Sequence, residues 1–219
     1  MGIRYAAMFL FLVSALFAFE CNVREYSTGE KIEGTQLYEA KDKVFTAQIP
    51  NGWSKLESRF DYAGKDDNVT GIKLQGPQNK LGANAKISVI YYEYGGFFSD
   101  YKEYIELVQN SPTRENIPKK ERYKHIKVGA KKAISFEIKT FELIFEQSIN
   151  KLPDTGADYK FVPPYKKVSM LEEYIVVPAK RGFFVLCYEA PVDIRKECTP
   201  LFGKVIKSIH FESNIPWTK

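Results

Sequence analysis

Histidine and cysteine are scarce in this 219-residue chain, which contains two His and three Cys. A His-rich or four-Cys zinc site therefore lacks the ligands it needs. The Gly-x-Ser-x-Gly elbow of a serine hydrolase does not occur. No glycine-rich loop has the Lys and the spacing of a phosphate cradle, and no EF-hand pattern is found. These absences predict a non-enzymatic protein that holds no metal and no cofactor.

Apolar and aromatic residues are plentiful by comparison. Hydrophobic residues make up 44% of the chain, and 14 Tyr and 16 Phe accompany only 2 Trp. Charged residues make up 27%, which is typical of a globular protein and excludes a fully disordered chain. The net charge of +5 favours contact with acidic surfaces without specifying which surface.

Long apolar runs are also rare, and the one long enough to act as a targeting signal lies at the N-terminus. Arg4 precedes an uncharged stretch, residues 5–19, which ends at Glu20. A positive residue followed by an apolar run of this length is typical of a secretory signal, whereas a membrane-spanning helix needs about 20 apolar residues. Cleavage after Ala18 would start the mature chain at Phe19 and, by removing Arg4, lower its net charge from +5 to +4. The sequence therefore predicts export to the periplasm or cell envelope.

Cys21 raises a second interpretation of the same N-terminus, in which this cysteine is acylated. A lipoprotein signal needs a small residue directly before the cysteine, and Glu20 is long and charged. The position before Cys21 thus fits a lipoprotein signal poorly, and acylation is the alternative to simple cleavage. One acyl chain would bind a membrane only marginally without further contacts.

The other two cysteines, Cys187 and Cys198, lie 11 positions apart in the chain. An oxidising compartment would allow them to form a disulfide, which would contribute about 3 kcal/mol by loop closure. Two separately buried thiols are the alternative, because free cysteine is among the most buried residue types. The sequence leaves both states open.

The rest of the chain divides into a polar spacer over 19–37, one domain over 38–213 and a tail over 214–219. Residues 101–108 repeat apolar side chains at helical spacing behind a cap at Ser99 or Asp100. Residues 131–147 and 165–178 predict a long antiparallel hairpin around a polar loop, 148–164. The apolar alternation in its first strand changes phase, which predicts a β-bulge near Lys139 and Thr140.

Residues 183–188 form a continuous apolar run, as expected of a strand covered on both faces. Thr199 and Pro200 resemble a cap and first residue of a C-terminal helix that follows a shorter helical segment. Long antiparallel strands with helices between them predict an α+β fold. The expected architecture is an α/β/α sandwich with a central antiparallel sheet flanked by helices.

Four segments, in this order and spacing, resemble the PsbP/DcrB-like family. They are an opening strand that runs into the Pro50-Asn51-Gly52-Trp53 turn, a turn over 128–133, a central strand over 182–191, and a final helix and strand over 200–211. The match spans about residues 38–213. The resemblance implies the same α/β/α sandwich fold and a non-enzymatic role, because members include photosystem accessory subunits, envelope lipoproteins and a Ran-binding import protein.

The expected function is that of an exported accessory or binding protein of the cell envelope, with another envelope protein or complex as partner. The alternatives are an uncharacterised envelope enzyme and a lipid-surface protein that uses basic residues on an anionic membrane. Export argues against a nucleic-acid partner. The hairpin loop 148–164 and the basic segment 114–132 are the expected working surfaces. The basic residues of this candidate surface are Lys119, Lys120, Arg122, Lys124, Lys127, Lys131 and Lys132.

Overall fold

The computed structural model describes residues 35–40, 43–56, 68–110, 123–145 and 164–212. Ten strands and two helices lie within these ranges. The strands are β1 (Gln36–Glu39), β2 (Phe45–Ile49), β3 (Ser54–Lys55), β4 (Val69–Gln78), β5 (Asn84–Glu93), β6 (Lys124–Val128), β7 (Lys131–Phe145), β8 (Tyr165–Pro178), β9 (Gly182–Pro191) and β10 (His210–Phe211). The helices are α1 (Tyr101–Gln109) and α2 (Arg195–Ser208).

The strands form two antiparallel sheets. The larger sheet has the order β3-β4-β5-β9-β8-β7-β6, and the smaller has the order β1-β2-β10. Every residue of β9 is buried, which confirms that the apolar run at 183–188 is a strand covered on both faces. β9 is the central strand of the larger sheet, so the contacts of its side chains show which elements cover each face of that sheet.

Alternate side chains of β9 contact different layers, as the pleat requires. Phe184 contacts Phe45 of β2 and Phe211 of β10, and Tyr188 stacks on Phe202 of α2. We call this side of the larger sheet the α2 face. Phe183 contacts Tyr104 of α1 on the opposite side, which we call the α1 face.

The expected architecture of a helix-flanked α/β/α sandwich is therefore wrong. The described residues are mostly β, with two sheets and only two short helices. A three-stranded sheet shares the α2 face with α2, and a single nine-residue helix lies on the other. Apolar side chains on both faces of a strand show that both are covered, but they do not reveal whether a helix or a second sheet covers them.

Helix α1 begins where its cap predicts. The Asp100 carboxylate accepts hydrogen bonds from the backbone N–H groups of Lys102 and Glu103, and Glu103 in turn accepts from Ser99. Tyr104, Ile105 and Val108 are buried, as their helical spacing predicts. The stripe holds α1 against the end of the sheet where Phe183 lies.

Helix α2 begins earlier than its sequence signals suggest. It runs without interruption from Arg195, and Pro200 lies inside it rather than at its first position. Thr199 does not act as an N-cap, because its hydroxyl donates to the carbonyl oxygen of Arg195 at 2.8 Å. The predicted division at Thr199 and Pro200 is wrong, because one helix runs through both residues and its start is held by the ion pairs of Arg195 with Glu137 and Glu173.

The long hairpin forms as expected, but the bulge does not. β7 pairs with β8 in unbroken register from Ile134↔Val176 to Phe145↔Tyr165. The change of apolar phase near Lys139 is instead a change of face, because the strand continues regularly while its large side chains move to the other side.

Candidate functional site

The described members of the predicted basic surface lie on the β6–β7 hairpin, where β6 forms one edge of the larger sheet. Lys127 and Lys132 are directly opposite each other and exposed. Lys124 and Lys131 lie on the other face of the hairpin, opposite Ser135 and Val128 respectively. The structure thus gathers four lysines on one hairpin and divides them between its two sides. Outside the described residues lie Lys119, Lys120 and Arg122.

Of the two states that the sequence leaves open for Cys187 and Cys198, the structure has two buried thiols with no disulfide between them. Cys198 belongs to α2, which packs on Tyr188 through Phe202. Because successive strand residues point to opposite faces, the side chain of Cys187 lies on the α1 face, with the sheet between the two thiols. This separation prevents a bridge without movement of the backbone. Cys21 lies outside the described residues.

A group of charged side chains on the α1 face has no counterpart in the sequence-based expectations. We call Lys73, Lys86, Glu142, Glu172 and Glu189 the ionic cluster. They come from five consecutive strands of the sheet, β4, β5, β9, β8 and β7. Glu172 and Glu189 are directly opposite each other on β8 and β9 and are both buried.

Lys86 is the centre of this cluster. Its Nζ lies 2.7 Å from Glu189 Oε1 and 3.2 Å from both carboxylate oxygens of Glu142. Burial acts to lower the pKa of Lys86, but the attraction and hydrogen bonds of the two carboxylates outweigh burial and raise it. Lys86 is therefore held as a cation among carboxylates.

Lys73 has the opposite balance. Burial lowers its pKa, and the repulsion of Lys86 adds to that effect, while Glu189 opposes it. Lys73 is directly opposite Ser88, and Ser88 is directly opposite Cys187. A lysine with a lowered pKa beside a serine is one arrangement that can activate a hydroxyl. The Ser88 side chain, however, is fully buried.

A second set of charges lies on the α2 face and holds α2 to the sheet. The Arg195 guanidinium donates to Glu173 at 2.6 Å and to Glu137 at 2.8 Å. The guanidinium carbon, Cζ, lies 5.4 Å from the ring centroid of Tyr188. The Tyr188 hydroxyl donates a hydrogen bond to the backbone carbonyl oxygen of Arg195. Burial raises the pKa of the Tyr188 hydroxyl and of the Cys198 thiol beside it. This arrangement fixes the start of the helix.

Comparison with known proteins finds similar solved structures but no relative in sequence. No family model matches the chain, and no curated protein sequence matches it. The solution structure of cyanobacterial PsbP (CyanoP) from Synechocystis sp. PCC 6803 matches 84% of this chain and 96% of its own, with 13% identity and a TM-score of 0.44. The similarity concerns the fold alone. Membership of the PsbP/DcrB-like family stays a prediction.

The residues that the structure describes contain neither a metal-binding cluster nor a membrane-spanning helix. No group of three or more His, Cys, Asp or Glu is arranged to hold a metal ion there. No helix there is long and apolar enough to cross a bilayer. His125 and His210 are both exposed, on β6 and β10.

The ionic cluster has one signal in the sequence. Glu189 directly follows the continuous apolar run 183–188, in a strand expected to be covered on both faces. Lys73 and Lys86 instead alternate with apolar residues, which predicts exposed side chains. A charge in a covered strand needs a partner, so Glu189 alone predicts an ion pair with a neighbouring strand. Which strands are neighbours is the missing information, because β5 and β9 are far apart in the chain.

Proposed function

We propose that this chain is an exported, non-enzymatic accessory protein of the cell envelope, and that the β6–β7 hairpin binds an acidic surface of a partner protein. The observation that carries the proposal is the charge of this hairpin. Residues 123–135 contain four Lys and no Asp or Glu, and Lys124, Lys127 and Lys132 are exposed. A basic edge of this kind speeds and orients association with an acidic partner.

The buried charges support a binding role over catalysis. The ionic cluster satisfies Lys86 internally, and its carboxylates Glu172 and Glu189 are covered. Arg195 is likewise engaged by Glu137 and Glu173. On the hairpin, by contrast, Lys124, Lys127 and Lys132 are exposed. The same lysines have a second explanation, because lysine on an edge strand prevents two sheets from pairing edge to edge. This protective role would need no binding partner.

The experiment must separate a binding surface from an edge that only prevents aggregation. We would change Lys124, Lys127, Lys131 and Lys132 to Gln and compare binding to envelope proteins of the source organism. The matched control changes four exposed lysines elsewhere to Gln, so that both variants lose the same charge; these are Lys80, Lys102, Lys196 and Lys204.

We expect the hairpin variant to lose partner binding and the control variant to keep it. Binding by the unchanged protein should weaken as salt is raised, because exposed charges are screened beyond about 8–10 Å at physiological ionic strength. Equal binding by both variants, with circular dichroism showing both folded, would remove the hairpin from the proposal. An aggregating hairpin variant would favour the protective interpretation.

Export is proposed from the N-terminal pattern and has its own test. Mass spectrometry of the chain recovered from the source organism gives its first residue. A start at Phe19 supports cleavage after Ala18, and a lipid-modified Cys21 supports tethering. An intact N-terminus that retains Arg4 and the apolar run would contradict both.

A further inference from the structure

The β7–β8 hairpin extends past the strands on either side of it. β6 pairs with β7 only as far as Ser135, and β9 pairs with β8 only from Met170 onward. β7 and β8 nevertheless stay paired to Phe145↔Tyr165. We call residues 141–145 and 165–169 the arm. At about 3.4 Å per residue, it is about 17 Å long.

The two faces of the arm have different surroundings. The inner face continues the α1 face, and there Ile144 and Val168 pack with Ala83 and Met170 in a small core of their own. This contact brings the turn between β4 and β5 over the arm and fixes its position. The arm is therefore held to the body of the protein by its inner face.

The outer face of the arm is apolar and exposed. Unbroken register places Phe141, Leu143 and Phe145 on the same side as Tyr165 and Lys167. Leu143 is 37% exposed, Phe145 38% and Tyr165 51%. Phe145 and Tyr165 meet edge to face, with ring centroids 6.0 Å apart. Large apolar side chains exposed next to one another mark an interaction site more often than isolated ones do.

The charge of the outer face has one sign. Lys167 lies on this face, with its Nζ 4.0 Å from the ring centroid of Phe141. The acidic residue of the arm, Glu142, points to the inner side, where it binds Lys86. Aromatic rings beside lysine, with no carboxylate among them, are typical of side chains at a membrane–water interface.

We propose that the outer face of the arm docks on the surface of an anionic lipid bilayer. Phe145, Tyr165 and Leu143 enter the headgroup region, and Lys167 contacts lipid phosphate. The area favours lipid over a second copy of the chain or another protein. A two-stranded ribbon of this length offers on the order of 200–300 Å², whereas a stable protein interface buries about 800 Å² per partner. A bilayer needs no matching surface and gains from each inserted side chain.

This inference goes beyond the proposed function, because the arm is a different surface from the β6–β7 hairpin. The two tests change different residues, so one proposal can fail without the other. The test measures co-sedimentation of the chain, as its source organism processes it, with lipid vesicles. One set contains phosphatidylcholine alone and the other equal parts of phosphatidylcholine and phosphatidylglycerol. The arm variant is Phe145→Ser with Tyr165→Ser, and a second variant is Lys167→Gln.

The control variant is Leu37→Ser with Leu107→Ser, which removes apolar side chains that are 66% and 39% exposed on β1 and α1. All variants share one N-terminus, so any contribution of Cys21 is the same in each. We expect the arm variant to bind anionic vesicles at least about tenfold more weakly, because the two rings that would be buried among the headgroups are gone. Lys167→Gln should reduce binding to anionic vesicles more than to neutral ones, and the control should bind as the unchanged chain does.

Phe145→Trp provides a readout that does not depend on losing a side chain. Its fluorescence should shift to shorter wavelength when anionic vesicles are added, and the control position Leu107→Trp should not shift. Unchanged binding by the folded arm variant, or no shift at position 145, would overturn the proposal. So would a dimer of the chain that the arm variant abolishes, because a second copy would then cover the outer face.

Discussion

At the scale of single residues, the ionic cluster shows how a buried charge depends on its partners. Lys86 keeps its proton because Glu142 and Glu189 surround it. Removing one member of a buried pair leaves the others without compensation and costs more than the pair contributes. The α1 face therefore tolerates these charges only as a set.

Lys86→Met tests this dependence. We expect the free energy of unfolding at neutral pH to fall by about 3 kcal/mol, because two carboxylates lose their buried cation. Changing Glu189 to Gln in the same chain should restore part of the loss. Lys80→Met, at an exposed position in the turn between β4 and β5, is the matched control and should change stability by less than about 0.5 kcal/mol. Urea unfolding measures all four proteins.

The pH dependence of this difference has a defined sign. The pKa of Lys86 is raised in the folded state above its ordinary value of 10.5. Its contribution is therefore complete below pH 10.5 and disappears as the pH rises through the raised pKa. We expect the stability of Lys86→Met and of the unchanged protein to converge above pH 10.5. A difference that stays constant through this range would show that packing of the Lys86 stem, rather than its charge, matters.

At the scale of elements, local signals were sufficient for α1 and insufficient for α2. Asp100, Glu103 and the stripe Tyr104, Ile105 and Val108 agree on one helix, and the structure has it. In α2, Pro200 suggested a start that the tertiary contacts of Arg195 override, since Glu137 and Glu173 hold the chain helical one turn earlier. Those acids lie on β7 and β8, and their proximity to Arg195 follows from the sheet order alone.

Asp100→Ala tests the cap of α1. We expect the free energy of unfolding to fall by about 1 kcal/mol, because two backbone N–H groups lose their acceptor. Asp100→Asn keeps an acceptor and should lose much less stability.

The hydrogen bonds from Ser99 lower the pKa of Glu103, the other half of this cap. The contribution of Glu103 to the free energy of unfolding is therefore present above pH 4.5 and is lost as the pH falls through the lowered pKa. Thermal unfolding followed by circular dichroism measures each effect.

The change of apolar phase in β7 is the local signal with the largest consequence. Ile134, Phe136 and Ile138 face one side, and Phe141, Leu143 and Phe145 face the other. A bulge would have returned all six to one core. The unbroken register leaves the last three on the outer face of the arm, so the sequence irregularity predicts a surface feature rather than a strand defect.

At the scale of the whole molecule, the sequence indicated how much is buried but not by what. Phe45 on β2 and Phe211 on β10 alternate as strand residues should, yet nothing local shows that β2 and β10 pair with each other across the length of the domain. That pairing creates the smaller sheet, which covers part of the α2 face beside α2. Long-range pairing is decided by the fit of complete faces, which a pattern within one strand does not contain.

The larger sheet also decides the state of the cysteines, which gives a prediction for the whole molecule. With Cys187 and Cys198 on opposite faces, reductant should leave the thermal unfolding temperature unchanged, even in protein recovered from an oxidising compartment. Thiol titration should find both groups unreactive in the folded chain and reactive in urea without prior reduction, with Cys187→Ser and Cys198→Ser each removing one equivalent. A drop in the unfolding temperature on reduction, lost in both variants, would mean that the two thiols meet after all. The sheet would then have to open between Cys187 and α2, because no rotation of these two side chains brings them to the same face.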